Sequence, residues 1–455
     1  MIFSVLLSVS QAQIITAEMH DTADELYKKA LSSNIAYEID ESLSTEVGPR
    51  MIGTPGDKRA ISWAVSKMKQ LGYDRVWTEP VIHVLWERGM IEAEITAPFP
   101  LRVTAIALGG SVGTPNDGVE AEVIEFEDFA ALEAASPDSL SGKIAFVSFR
   151  MKRTVDASGY GDAVVARTQG AIAAAKKGAI AYIMRSVGTD NNRLAHTGAM
   201  NYEEGVPQIP AAALSNPDAD SLVRQISRGI PVRFKLKQTS LRYDDRVITT
   251  ANVIGEVTGR EATEDFVILG AHLDSWDVGT GSVDDGIGVS IVMSVGKHLL
   301  DLPRRPRRSL RVVLFGAEEV GLIGVKQYLE AHKDELDHHL IGIEWDFGIG
   351  RILEMESGVG PLSLGLIREV ATSIAPLGIS MRPGNDAKGQ SDMSVLGEAG
   401  MPAINFHPDG STYFDYHHTE NDTMDKVDAE AMKFNTAIFT LFSYIAMESN
   451  INFRQ

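Results

Sequence analysis

Phe266-Val-Ile-Leu-Gly-Ala-His272-Leu-Asp274 decides the fold: an unbroken apolar run that stops on a histidine and an acid. A strand buried on both faces reads as such a continuous run, whereas a half-exposed strand alternates. The same texture returns at Leu310–Gly316 and Leu340–Trp345, each followed by a polar cluster or a helical stretch. Buried strands alternating with helices imply a mixed, largely parallel central sheet flanked by helices, an α/β fold. In open sheets of this kind ligands gather in the crevice beyond the carboxyl ends of the strands. The polar clusters fall there.

Upstream of Ala251 the texture differs. From Gly56 to Leu71 the residues Ile61, Ala64, Val65, Met68 and Leu71 recur at helical spacing, and Gly72 stands where a C-cap belongs. Strand patterns follow at Val76–Val84, Met90–Ile95 and Leu101–Leu108, then a Gly/Pro-rich break over Ser111–Gly118. Beyond it lie a strand at Lys143–Phe149, an Ala-rich helix ending near Lys177-Gly178, and strands at Ala179–Met184 and Ile209–Leu214. The expected organisation is a leader over 1–18, the first part of the main domain over 19–118, a smaller α/β insert over 119–237, and the catalytic domain over 238–455.

Composition removes several kinds of chemistry. The 455 residues include no cysteine, so disulfides, thiolate zinc sites and a cysteine nucleophile are excluded. Any metal must be held by His, Asp and Glu. The net charge of −20 argues against nucleic acid or an anionic membrane as partner and fits a solubilising surface. Ile2–Ser10 is an apolar run ending in a small-x-small pattern at Ser10-Gln11-Ala12, though no basic residue precedes it. The run is too short to span a bilayer, and no later segment offers ~20 consecutive apolar residues. The expectation is an exported protein, secreted or periplasmic, without a membrane span.

Five clusters carry the chemistry. In His272-Leu273-Asp274 an imidazole can bind metal while the acid accepts its other ring N–H. Asp284-Asp285, bracketed by Gly281 and Gly286, sets two like charges side by side, an arrangement that a nearby cation relieves. Glu318-Glu319 can turn one carboxylate to a metal and the other to a water proton, because neighbours in an extended segment point opposite ways. Glu344-Trp345-Asp346 follows another buried run, and in His417-His418-Thr419-Glu420-Asn421-Asp422 one histidine can bind metal while Asp422 accepts its second N–H. Standing alone, the His-x-Asp motif reads as a surface or structural histidine and the Asp pair as a solvated turn, and a charged helix start is a common reading of the Glu pair. Together they supply hard and borderline ligands suited to zinc. Two cations sharing a carboxylate can activate a water between them, so the pattern points to a metal hydrolase.

These motifs, with Gly48-Pro49-Arg50, Trp86-Glu87-Arg88-Gly89 and His272-Leu-Asp-Ser-Trp-Asp-Val-Gly279, resemble the co-catalytic zinc exopeptidase family of bacterial leucine aminopeptidases and glutamate carboxypeptidases. Within it the chain looks most like the carboxypeptidase Q branch, and the block over 119–237 resembles the protease-associated domain inserted there. A related group inserts a lid after Glu-Glu, whereas the extra block here precedes His272. The resemblance implies two Zn2+ per chain held by His272, Asp284, Glu319, Asp346 and His418, with Asp284 bridging. It implies Glu318 as general base acting on a metal-bridged water, Asp274 as the group orienting His272, and a cis bond between Asp284 and Asp285. His418 is preferred to His417 because the family ligand lies four residues before the aspartate, here Asp422.

Many relatives carry Gly-Ser-Asp-His where this chain has Gln390-Ser391-Asp392-Met393, a change bearing on pocket shape. The activity implied is hydrolysis of dipeptides or short peptides. Glutaminyl cyclisation and a silent scaffold of the transferrin-receptor type are the alternatives. Tyr413–Tyr416 and His196–Tyr202 are candidates for holding substrate termini, with ordinary loop packing the equal alternative. His83, His338, His339 and His407 read as structural or surface groups. A homodimer is the partner that the resemblance suggests besides the peptide substrate.

Overall fold

Alternate side chains of the strand Phe266–His272 enter two different cores. Val267, Leu269 and Ala271 pack with the helices Ile287–Leu300 and Ala429–Glu448. Phe266 and Ile268 pack on the opposite face with Tyr328 and Leu396, from the helices Ile323–His332 and Ser391–Glu398. Burial on both faces is why this stretch is continuously apolar. The computed structural model describes residues 15–455. The expected leader run at Ile2–Ser10 lies outside the described residues.

The first sheet has eight strands, in the order Arg75–Glu87, Leu241–Val257, Ser309–Phe315, Phe266–His272, His339–Glu344, Ala403–Pro408, Ile352–Gly358 and Ser380–Met381. The four strands from Ser309–Phe315 to Ala403–Pro408 run parallel, flanked by Leu241–Val257 paired antiparallel on one side and Ile352–Gly358 paired antiparallel on the other. The helix read over Gly56–Leu71 is Pro55–Leu71. Thr54 caps it by accepting from Asp57 N–H, and Gly72 ends it at φ 93°, the left-handed conformation that glycine adopts without steric cost. Ala17 and Glu18, assigned from the sequence to the leader, instead begin the helix Ala17–Leu31, because Thr16 caps it and Met19, Ala23 and Leu26 bury its inner face.

A second eight-stranded mixed sheet runs Leu101–Arg102, Ile91–Ala97, Arg233–Gln238, Val119–Phe126, Ile144–Val147, Ala181–Arg185, Ala211–Leu214 and Ala105–Ala107. The boundary expected at 118/119 therefore falls inside this sheet: Ile91–Ala97 pairs with Arg233–Gln238, and Ala105–Ala107 pairs with Ala211–Leu214. The Gly/Pro-rich break is a turn within the unit, held by Thr114 N–H donating to the Gln238 carbonyl. Gly and Pro mark where a chain turns, and a turn inside a sheet looks the same in sequence as one between domains. The helix Gly159–Lys176 packs on this sheet. Among the described residues no helix is long and apolar enough to cross a membrane.

Candidate active site

Loops leaving the carboxyl ends of the parallel strands converge at one place. His272 ends its strand, Glu318 and Glu319 follow Ser309–Phe315, Asp346 follows His339–Glu344, and His417-His418 follow Ala403–Pro408. Asp284 lies in the turn Ser282–Gly286 that leads into the helix Ile287–Leu300, and the Asp284–Asp285 peptide bond is cis. Ala317, Leu322, Ser391 and His418 all adopt positive φ without being glycine. Such conformations persist where surrounding structure holds them, and Leu322, Ser391 and His418 line one cavity here.

The distances sort the acids and histidines into two trios. His272 Nε2 lies 3.0 Å from Asp284 Oδ1 and 3.5 Å from Asp346 Oδ1. His418 Nε2 lies 3.0 Å from Glu319 Oε2 and 3.3 Å from Asp284 Oδ2. Each oxygen of Asp284 thus faces its own histidine and its own second carboxylate. Ligand atoms about 2 Å from a tetrahedral zinc stand about 3.3 Å from one another, a spacing that the four histidine-to-carboxylate distances match. The ligand atoms of His272, Asp284 and Asp346 all lie within 4.8 Å of one another, as do those of Asp284, His417 and His418. Asp284 Oδ2 is buried and accepts no hydrogen bond, an orphan that a cation would satisfy. The donor set fits zinc.

Charge tells the same story. Burial raises the Glu318 carboxyl to about 8; His272 opposes the rise and Asp346 adds to it. Burial likewise raises Asp285 and Glu344, and neighbouring carboxylates reinforce both shifts. Burial opposes a charge on His272, but Asp346 and Asp284 outweigh it and hold the ring's pKa well above the ordinary value. So dense a set of buried acids favours a bound cation, which reverses the local preference for neutral forms.

His417 stacks on His418 with ring centroids 3.5 Å apart, and its Nε2 comes no nearer than 3.8 Å to Asp284. The Glu319 contact distinguishes His418, the histidine singled out by spacing. Glu318 stands beside the trios and lines a cavity of about 520 Å³, where Ser391 Oγ donates to its Oε1 at 2.9 Å. The segment Gln390–Met393, which departs from the commoner pattern, thus touches the expected base.

Two expected orienting contacts are replaced. His272 Nδ1 faces the main-chain carbonyl of Asp274 at 3.0 Å, while the Asp274 carboxylate is 3.8 Å away. That carboxylate accepts instead from the Glu318 and Glu319 N–H groups at 3.0 and 3.3 Å, so it aims the Glu-Glu pair. Asp422 accepts from Val283 N–H at 2.6 Å and supports the Asp284 turn rather than a histidine. In both cases the adjoining backbone amides, which sequence does not place, compete successfully for the carboxylate.

Sequence reasoning also missed contributors from the second sheet's unit. Tyr160 and Arg167, from the helix Gly159–Lys176, line the cavity beside Ala199, Asn201 and Tyr413. Arg167 left one faint signal, a basic residue among the small buried residues Ala163, Ala166, Gly170 and Ala171. Of the segment His196–Tyr202, His196 is buried against Asp190, while Ala199 and Asn201 reach the cavity. His83, His338, His339 and His407 all lie away from it, the last three against Asp265, Tyr328 and Glu356 respectively.

Residues 252–442 match the model of peptidase family M28. Over 417 residues the chain is 35% identical to carboxypeptidase Q of Xenopus laevis, an alignment covering 92% of this chain and 87% of that protein. A crystal structure of a peptidase M28 precursor from Shewanella amazonensis SB2B is 45% identical, with a TM-score of 0.94, covering 96% of this chain and 98% of that one. A zinc aminopeptidase from Bacillus subtilis shares the fold at 21% identity, with a TM-score of 0.65 over 92% of this chain and 98% of its own. On sequence identity sustained over nearly the whole chain, the protein belongs to peptidase family M28.

Proposed function

We propose that the chain is a metallo-exopeptidase that binds two zinc ions and hydrolyses dipeptides or short peptides. The observation carrying this reading is the Asp284 carboxylate, whose two oxygens face His272 with Asp346 on one side and His418 with Glu319 on the other. In this reading those five residues hold the metal. Ions bound there would polarise the scissile carbonyl and lower the pKa of the attacking water.

The chain's own groups do the rest. Glu318, held by Ser391 and by its own N–H to Asp274, takes a proton from the attacking water and returns it to the leaving amine. The surrounding apolar rings of Phe347, Tyr413 and Phe414 limit water in the cavity. The strands Ile91–Gln238 are read as the inserted protease-associated unit, which closes one side of the cavity through Tyr160 and Arg167. Export is read from the apolar run Ile2–Ser10.

The test is turnover of a dipeptide panel by the wild type and by Glu318→Gln, with zinc per chain measured in both. The expected result is two zincs in each and a loss of kcat of about 10²–10⁴-fold in the variant. One zinc per chain, or unchanged turnover in the variant, would overturn the two-ion site or the base respectively.

A further inference from the structure

Arg88 stands where the chain leaves the strand Arg75–Glu87 of the first sheet for the strand Ile91–Ala97 of the second. Its side chain is 12% exposed, and every nitrogen of it is engaged. Nε and Nη2 donate to the Asp277 carboxylate at 2.9 and 2.6 Å. Nη1 donates to the Thr197 hydroxyl at 2.9 Å and to the Ala107 carbonyl at 2.5 Å. The guanidinium also lies over the rings of Trp86 and Trp276, 5.0 and 5.3 Å from their centroids. A planar fork with five donors can join so many partners at once. Arg88 thus fastens Ala107 and Thr197, from the second sheet's unit, to Trp276 and Asp277, from the loop after His272.

Two of those partners hold His418 and Glu319. The Thr197 carbonyl faces His418 Nδ1 at 3.2 Å, and Thr197 N–H donates to the His418 carbonyl at 3.1 Å. Trp276 N–H donates to Glu319 Oε1 at 3.2 Å, which leaves Oε2 to face His418. The Trp276 ring packs edge to face on the His418 imidazole, with centroids 5.6 Å apart. A Cβ on Gly109 would lie 2.0 Å from that indole, so glycine is what lets the second unit's backbone press on it.

His272 is held from the other side. Its Nδ1 faces the Asp274 carbonyl, and its N–H donates to Asp285. Arg50 grips the carbonyls of Leu273, Thr280 and Gly281 at both ends of the loop. All of these residues belong to the first sheet's unit.

We propose that Arg88 is a positioning residue for one metal ion of the two. By fastening Thr197 and Trp276 it sets the affinity of Asp284, His418 and Glu319 for their ion. The trio of Asp284, His272 and Asp346 keeps its own ion whether or not the joint between the units is intact. The inference rests on the two-ion reading above. A ligand released from its outer partner must be ordered again when the metal binds, and such losses weaken binding about 10–100-fold. Departure of the ion beside His418 leaves the other trio with all three of its residues.

Metal binding tests this without reference to turnover. Zinc is titrated by competition with a chromophoric chelator, and cobalt is loaded in parallel so that its visible absorption reads the geometry of each filled site. The wild type is expected to bind two ions. In Arg88→Met one ion is expected to bind about 10–100-fold more weakly, while the affinity and cobalt spectrum of the other stay as in the wild type. Arg88→Lys keeps the charge but cannot join Asp277 to Thr197, and is expected between them. If the Met variant melts early, the Lys variant carries the comparison. Two backgrounds locate the affected ion. With Asp346→Asn, adding Arg88→Met should weaken the ion that remains; with His418→Ala, it should leave the remaining ion unchanged. Equal weakening of both ions, weakening of neither, or the reverse dependence on background overturns the proposal while the two-ion reading stands. A single ion in the wild type overturns the two-ion reading, and this proposal with it.

Discussion

Thr197 and His418 are tied in both directions: the His418 ring gives Nδ1–H to the Thr197 carbonyl at 3.2 Å, and Thr197 N–H donates to the His418 carbonyl at 3.1 Å. One residue belongs to the second sheet's unit and the other to the loop after Ala403–Pro408. The tie fixes which nitrogen of His418 is free to face Asp284 and Glu319. A contact between units separated by more than two hundred residues thus sets the orientation of an expected ligand.

The same junction contains His196, whose Nε2 meets Asp190 at 2.6 Å and whose Nδ1 donates to the His417 carbonyl at 2.7 Å. His196→Leu leaves Asp190 Oδ2 buried without its partner, although Oδ1 still accepts from Asn192 N–H, and frees the His417-His418 loop. Zinc affinity, measured by competition with a chromophoric chelator, is expected to fall about 10–100-fold, the usual effect of losing an outer support. Unchanged affinity would show that Thr197 alone suffices.

Arg50 is fully buried and donates to the carbonyls of Leu273, Thr280 and Gly281 at 2.5, 2.8 and 2.8 Å. It therefore clasps both ends of the segment joining His272 to Asp284. Arg50→Met strands the Leu273 and Thr280 carbonyls, leaves that of Gly281 with the Gly286 N–H alone, and leaves Asp40 and Asp422 without their cation. The expected loss is about 3–5 kcal/mol in urea unfolding. Arg50→Lys is expected to recover only part of it, because a point charge cannot reach three acceptors in a plane.

Gly288 opens the helix after Asp285, and a Cβ there would lie 2.1 Å from the Trp345 carbonyl and 2.3 Å from both Asp285 oxygens. Asp285 accepts from His272 N–H and Gly288 N–H at 3.1 and 3.0 Å. Gly288→Ala should push this carboxylate away and loosen His272. We expect weaker zinc binding and a lower Tm, read by chelator competition and by thermal unfolding. A wild-type zinc affinity in this variant would mean that Asp285 is not needed to place His272.

His298 is buried with both ring nitrogens unpartnered, and burial, aided by Lys29, lowers its pKa from the ordinary 6.5 to about 4 while Asp301 opposes the shift. The unfolded chain takes up this proton near pH 6.5 and the folded chain only near pH 4, so folding loses stability as pH falls between them. His298→Leu removes that loss. The stability of the variant minus that of the wild type should grow by about 3 kcal/mol from pH 7 to pH 4, measured by urea unfolding across the range. A constant difference would show that His298 titrates alike in both states.

The strands that build the first sheet were legible because they are buried on both faces. Phe266–Ala271, Leu310–Gly316 and Leu340–Trp345 each match an observed strand to within one residue at either end. The helix expected from Gly56 to Leu71 was equally plain, because its apolar stripe and terminal glycine are local signals. The boundary at 118/119 was not, since Ile91–Ala97 finds its partner Arg233–Gln238 far along the chain. A strand pattern declares its conformation and not its neighbour.

The sequence by itself determined the α/β class, the cysteine-free donor set, and the order of His272, Asp284, Glu318, Glu319, Asp346 and His418 along the chain. It could do so because apolar periodicity and side-chain chemistry are properties of residues close in sequence. Only the tertiary structure decided that Asp284 stands between two histidines, that the Asp274 carboxylate serves the Glu-Glu amides, and that Arg167 reaches the cavity from another unit. Those facts depend on backbone donors and on packing between distant segments, where angstroms decide which partner a buried charge obtains.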